Sequence, residues 1–540
     1  MQKGFAADYV IQDDARHYLF WMERFSNADA FPNDVIADYL QSIAPWGYKL
    51  LYRLGSYGHL SPDWLAKVLP MVLGLITAGY YYRLALEIFP IPAAGTMASV
   101  MLSQHLWCND GLVSASPRAF IYPLLVPLLF YFVRGKKEKS FVFLGLLVLF
   151  YPPVGLVATT LYAADAVDWL ALKTQWHRPT ISQDRAKVAI SALILAALCV
   201  IPTYLLTHQS FGPVVTMAQA QTIPEFQPSG RHSFFRDGID RYWLVIFGGH
   251  GAILKRTLFT PVTLVSALFL LPMCRAGQKK FPELSSINPR IHVFTKLIAV
   301  SLVWFGLAYA VAFRLHMPGR YTSHCIMVVL PIFAAIVWTC WLKYLWQWKA
   351  AATIAIALIL ALIFFYYPLV LKNFPKTLYI RGKEAPIYEY LQRQPQNTVV
   401  ASLDYEVDNI PSFAKRSVLM APEYATPFHL GYYQQIRQRA RDLLRTHYTS
   451  DLESLKAFTN THNINFWLVS RAAFSPDYLA HHRYWANNYR PLTKAVVDTM
   501  ATSKPSLLEM NVKQCSVVET QNFWLLDNSC VLAKTVITAK

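Results

Sequence analysis

Charge is what this chain has least of. Asp, Glu, Lys and Arg together supply 15% of its 540 residues, against 54% apolar ones. Few soluble enzymes carry so little charge. Acid is scarcer than base, with 32 Asp and Glu against 50 Lys and Arg, which leaves a formal net charge of +18. That excess does not point to nucleic acid, because much of it lies in short loops between apolar blocks, where it marks membrane topology. No His/Cys spacing makes a zinc site, and there is no glycine-rich nucleotide loop. No repeat or low-complexity tract stands out. The opening "MQKGFAADYVIQDD" contains no apolar signal-peptide core.

What is present in quantity is long hydrophobic runs. About ten reach or approach the length that spans ~30 Å of hydrocarbon at 1.5 Å per residue. They are residues 64–88, 93–108, 118–133, 140–151, 153–172, 187–206, 257–273, 294–313, 323–342 and 350–371. The fourth and fifth are separated by Tyr151-Pro152-Pro153. Proline cannot continue helical bonding, so these two are either separate segments or one kinked or re-entrant element. If they are separate, the basic loops 134–139, 173–187, 275–292 and 343–349 all fall on one side, which the positive-inside tendency makes cytoplasmic. Residues 1–63, loops 109–117, 207–256 and 314–322, and everything after 371 then face outward. An outward segment 1–63 with nothing apolar ahead of it is either drawn across by the first span in reverse orientation or, the expectation we favour, preceded by a first helix upstream of this start.

Three parts follow. Residues 1–63 read as an extracytoplasmic first loop, with "PNDVIADYLQSIAPWGYKLLYRL" as interfacial helices that place Trp46, Tyr48 and Tyr52 at headgroup depth. Residues 64–371 form a helical membrane domain. Over 372–540 helical patterns ("APIYEYLQRQ", "YYQQIRQRARDLLRTHY", "DLESLKAFTNTH") alternate with strand-like ones ("TVVASL", "SVLMA", "INFWLVS"), an α/β soluble domain. The fold class expected is thus a polytopic α-helical membrane protein of the cytoplasmic (inner) membrane with an extracytoplasmic α/β domain. Of seven cysteines, Cys515 and Cys530 lie in that domain, where an oxidising compartment permits a disulfide; two free thiols are the alternative.

Polar groups that topology does not explain collect on the outward side: Asp13 and Asp14 with His17, Arg118 in "SASPRAF", Glu225 and Arg231 in "TIPEFQPSGR", and Arg320 and Tyr321 in "PGRY". Ionisable groups at helix ends are costly unless solvated, paired or working. Such clusters suit a ligand with an apolar tail and an anionic head, and the guanidinium fork suits phosphate. A carboxylate can take the proton of an attacking acceptor, while basic side chains or a divalent cation (Mg or Mn) steady a departing phosphate. Plainer readings stand beside each of these. The Asp pair could cap an interfacial helix, Arg118 and Arg320-Tyr321 could anchor at headgroup level, and Glu225 could be a solvated loop residue. Asp34 and Asp38 read as a solvated face, and His17 as a neighbour of the acids.

The acidic "QDDARHY" in a first outward loop, the string of outward loops and the exported α/β domain together resemble the GT-C superfamily of membrane glycosyltransferases. "TIPE" (222–225) is similar to the TIxE-type motif of its oligosaccharyltransferase branch, and "PGRY" (318–321) to a basic loop that faces lipid phosphate. The WWDYG motif by which that branch recognises its acceptor sequon is missing. The resemblance implies a membrane helix ahead of the first outward loop. It also implies inverting transfer of a sugar from a polyprenyl-phosphate donor to a lipid, glycan or protein acceptor at the outer face. Asp13 or Asp14 would be the base or acceptor ligand. Arg118, Arg231, Arg320, Tyr321 and His17 would bind substrate and phosphate, and Glu225 with Asp14 would hold any metal. The competing class is a non-catalytic transporter or assembly subunit of envelope polysaccharide or lipid export.

Overall fold

The computed structural model describes residues 2–167, 183–235, 247–248, 251–255, 257–347, 349–500 and 504–538. Every apolar run lies on helix: Pro62–Ile88, Pro92–Trp107, Ile121–Val133, Lys137–Phe150, Pro152–Ala166, Gln183–Phe211, Val262–Phe269 running into Leu270–Ala276, His292–Ala310, Gly319–Met327 followed by Leu330–Trp346, and Ala350–Val370. The end of the expected run 153–172 lies outside the described residues. Among the described residues, five stretches can cross a bilayer alone by length and composition: Pro62–Ile88, Gln183–Phe211, Pro289–Ala310, Gly319–Trp346 and Ala350–Val370. Their outward faces keep Leu75, Leu198, Leu358 and Phe365 exposed, as lipid-facing helices must.

The Tyr151-Pro152-Pro153 break resolves as a tight hairpin. Helix Lys137–Phe150 stops at Tyr151 and the chain doubles back into Pro152–Ala166. Ser140 near the start of one helix bonds Tyr162 near the end of the other at 2.6 Å. Gly155 makes the turn close-packed, since a Cβ there would sit 2.8 Å from the Val148 Cα. A single kinked element is therefore replaced by two antiparallel helices with Tyr151 at their tip.

Two ends of the bundle can be told apart. At one, Asn288 donates to the Ile88 carbonyl at 2.8 Å, and Arg290 lies against Gly135, which gathers basic loops. At the other, Lys415 of the C-terminal region pairs with Asp63 at 3.1 Å, and Tyr52 donates to Ala115 at 3.3 Å.

The C-terminal region holds a mixed five-stranded sheet in the order Ser417–Val418, Val399–Ala401, Phe466–Ser470, Phe523–Asp527, Ser516–Glu519. The first three are parallel and the last two antiparallel. Phe466–Ser470, buried along most of its length, is the central strand. Cys515 and Cys530 form a disulfide that ties helix Leu507–Cys515 to the helix after the last strand.

Two expectations about the first loop change. Helices Val35–Ile43 and Trp46–Tyr57 form, but of the three aromatic residues expected at headgroup depth Trp46 alone is exposed; Tyr48 and Tyr52 are buried against the bundle. Asp34 is not on a solvated face. It is buried and caps Val35–Ile43, accepting from Ile36 and Ala37 at 2.8 and 3.0 Å. Asp38 is exposed, paired with Arg24 at 2.7 Å.

Candidate active site

The acidic stretch is held by backbone, not by chance packing. Val10–Gln12 pairs antiparallel with Tyr379–Arg381, and Asp13 N–H donates to the Leu378 carbonyl at 3.1 Å. The Gln12 side chain accepts from Ala15 at 3.1 Å and starts helix Arg16–Leu19. Neither Asp caps that helix with its side chain. The chain turns from strand to helix between them, and consecutive side chains at such a turn diverge.

Asp14 points toward Arg118, which grips its carboxylate and lies 3.6 Å from Asp110. Asp14 and Asp110 also share a hydrogen bond, so one guanidinium sits against a carboxyl pair. Desolvation holds Asp14 above the ordinary Asp range, outweighing the Arg118 charge, and Asp110 adds to the rise. Asp110 goes the other way: burial opposes its ionisation, but Arg118 and the bond from Asp14 win.

Beside this pair a cavity of about 60 Å³ is lined by His105, Asn109, Arg118, Lys255, Ser323 and His324 among others. Lys255 is pushed down to about 8, by burial first and then by the Arg118 and Arg320 charges. The buried Ser323 hydroxyl has no partner among the described residues. Arg320 donates to the Tyr151 hydroxyl at the hairpin tip at 3.2 Å. Tyr18, its hydroxyl pushed up mainly by burial, feels the charges of Arg320, Arg118, Asp14 and Tyr151. Arg118 thus links Asp14 and Asp110 to the cavity, and Arg320, from a third segment, lies near enough for its charge to act on Lys255.

Asp13, His17 and Arg231 gather on a neighbouring carboxylate, Glu423. Arg16 pairs with Asp13 and also reaches Glu423 at 3.1 Å; His17 donates to Glu423 at 2.6 Å, and Arg231 pairs with it too. Glu423 accordingly stays ionised far below the ordinary Glu range; burial opposes this, but the His17 bond and the surrounding cations outweigh it. Asp408, fully enclosed and beside Glu423, rises to about 7 through burial and that like charge.

Glu225 is neither solvated nor beside Asp14. It is buried, accepts from the Tyr433 hydroxyl at 2.8 Å and pairs with Arg437 at 3.1 Å. Desolvation raises it despite Arg437. Tyr321 is a packing residue: its ring stacks on Trp304 at 5.7 Å and its hydroxyl donates to the Leu315 carbonyl at 2.7 Å. Among the described residues no group of three or more His, Cys, Asp or Glu side chains is placed to hold a metal ion. With Arg118 between Asp14 and Asp110, this donor set suits a guanidinium better than a divalent cation.

Asp110, Lys255, Ser323, His324 and Glu423 were not marked as site residues from sequence. Asp110 offered a signal, since it shares the outward loop 109–117 with the approach to Arg118. Lys255 and Glu423 offered none, lying in stretches without a motif.

With this geometry in hand, solved structures give the comparison. The crystal structure of the Archaeoglobus fulgidus oligosaccharyltransferase, tethered to an acceptor peptide containing an NVT sequon, aligns with a TM-score of 0.50 at 13% identity, over 90% of this chain and 68% of that one. The fold is that of the GT-C glycosyltransferases. The same archaeal enzyme, AglB, in complex with an inhibitory peptide and a dolichol-phosphate aligns at 0.49 and 12% identity, over 90% of this chain and 68% of that one. ArnT from Cupriavidus metallidurans in the apo state aligns at 0.47 and 13% identity, covering 98% of this chain and 96% of its own. No protein-family model and no curated protein sequence matches the chain.

Proposed function

We propose that this chain is an inverting membrane glycosyltransferase that moves a sugar from a polyprenyl-phosphate donor to an acceptor at the extracytoplasmic face of a cytoplasmic membrane. The observation that carries it is a cavity at the end of a bundle of membrane-length helices that Arg118, Asp110 and Lys255 line, with Asp14 paired to Arg118 and the Arg320 charge close enough to act on Lys255. A lipid-phosphate donor meets both surfaces it needs there, hydrocarbon for the tail and fixed cations for the head.

In the reaction, the acceptor oxygen or nitrogen attacks the anomeric carbon while the bond from that carbon to the phosphate oxygen breaks. The acceptor proton passes to Asp14. The leaving phosphate departs already charged and needs no general acid. Arg118, Lys255 and Arg320 stabilise it, with Ser323 and His324 as further ligands. Asp110 keeps Arg118 in place when the donor draws it away from Asp14. Asp13, His17 and Arg231 act through Glu423 as positioning residues, and Glu225 does so through Arg437. No step runs through a metal ion. Residues 1–63 carry the acid, 64–371 the donor cavity, and 372–540 closes the site and meets the acceptor.

The test is transfer of labelled sugar from a panel of polyprenyl-phosphate donors by native membranes. Asp14→Asn should lower the rate about 10²–10⁴-fold with insertion unchanged, whereas Asp13→Asn should stay within about tenfold of the parent. A full rate with Asp14→Asn refutes the assignment.

A further inference from the structure

A second gathering of cations, drawn from three of the basic loops, lies at the other end of the bundle. Helix Ile121–Val133 runs from the Arg118 turn to the Gly135 turn and is roughly 20 Å long at 1.5 Å per residue. At its far end a cavity of about 240 Å³ opens between helix termini. Lys137, Arg185 and Arg290 line it, with Asp165 as the one carboxylate among the lining residues. That carboxylate is already committed, to Lys296 at 2.7 Å and to Arg185 at 3.7 Å. Arg290 is steadied by the Val133 carbonyl. Among the described residues neither Arg290 nor Lys137 has a carboxylate partner. Among the described residues, two of the three cations that line the cavity therefore lack a counter-charge and can take an anion from outside.

The walls narrow its chemistry. Phe132, Val133 and Val293 are apolar, and the Ser140 and Tyr162 hydroxyls between the arms of the hairpin are already bonded to each other and to the Leu128 carbonyl. A free phosphate uses the cations but not these walls. We propose that this cavity binds the headgroup of an anionic glycerophospholipid, with its phosphodiester on Lys137, Arg185 and Arg290 and the first acyl carbons on the apolar wall. The bound lipid braces the open arms of the hairpin whose tip presents Tyr151 to Arg320. This site stands independently of the transfer chemistry proposed above.

The test uses the full chain in phosphatidylcholine nanodiscs titrated with phosphatidylglycerol, read by native mass spectrometry of retained lipid. The parent should hold phosphatidylglycerol preferentially. Lys137→Gln and Arg185→Gln should each weaken retention about five-fold, with an unchanged unfolding temperature, and Lys137→Arg should restore it. Excess inorganic phosphate should not displace the lipid. Equal retention by parent and variants overturns the proposal. Full displacement by inorganic phosphate also overturns it, because the site is then one for the free ion.

Discussion

Asp13 and Asp14 are neighbours in the chain with separate partners in space. Asp13 pairs with Arg16, and Asp14 meets Arg118 and Asp110. The carboxyl pair at the cavity is therefore Asp14 with Asp110, ninety-six positions apart. Lys255 makes the charge of this place measurable. Its ammonium sits at about 8 because burial and two guanidinium groups disfavour it. A bound phosphate favours it and must move it back up, so donor binding near pH 8 to 9 should take up a proton. Affinity should then weaken as pH rises through about 8, by at most tenfold per pH unit. Calorimetry of undecaprenyl phosphate binding in two buffers of different ionisation enthalpy reads this uptake. Lys255→Met should abolish it; equal uptake by the variant would remove Lys255 from the phosphate site.

At the scale of elements, the helical hairpin 137–166 carries the most consequence. Its length puts Tyr151 beside Arg320 at one end and Lys137 with Asp165 at the other. The arms can approach this closely because Gly155 lies over Val148, where an added Cβ would meet main chain 2.8 Å away. Gly155→Val should splay them and cost about 1–3 kcal/mol. A lower unfolding temperature in detergent, with sugar transfer falling because the tip moves, is the expected pair of readings. Gly155→Val at parental stability would show that the close approach contributes nothing.

For the whole molecule, the first segment and the C-terminal region fold as one surface. The ladder between Val10–Gln12 and Tyr379–Arg381 joins them, and Glu423 collects Arg16, His17 and Arg231 from both the first loop and the loop around residue 231. Both Arg16 and Glu423 are largely buried, so removing the carboxylate leaves cations without a partner in low dielectric. Glu423→Gln should cost on the order of 3 kcal/mol and expose the first loop to protease, while its effect on a detergent-solubilised bundle is small. The transfer rate should fall mainly through KM as the acid-bearing loop loosens. A variant as protease-resistant as the parent would show that the ladder alone holds the loop.

The runs of 12 to 25 apolar residues, the proline break at 151–153 and the strand-helix alternation after 372 are local patterns, and over the described residues they became helix, turn and strand as encoded. The acidic stretch and Arg118 were legible in the same way, as charges where hydrocarbon is expected. Partners were not. Hydrogen bonds and ion pairs join Asp14 to Arg118, His17 to Glu423 and Glu225 to Arg437 across more than a hundred positions, and no periodicity records such a distance. Hydrophobicity is summed along the chain and so determines which segments become buried helix. The choice of cation for each carboxylate depends on which helix ends meet, and only the packed bundle decides that.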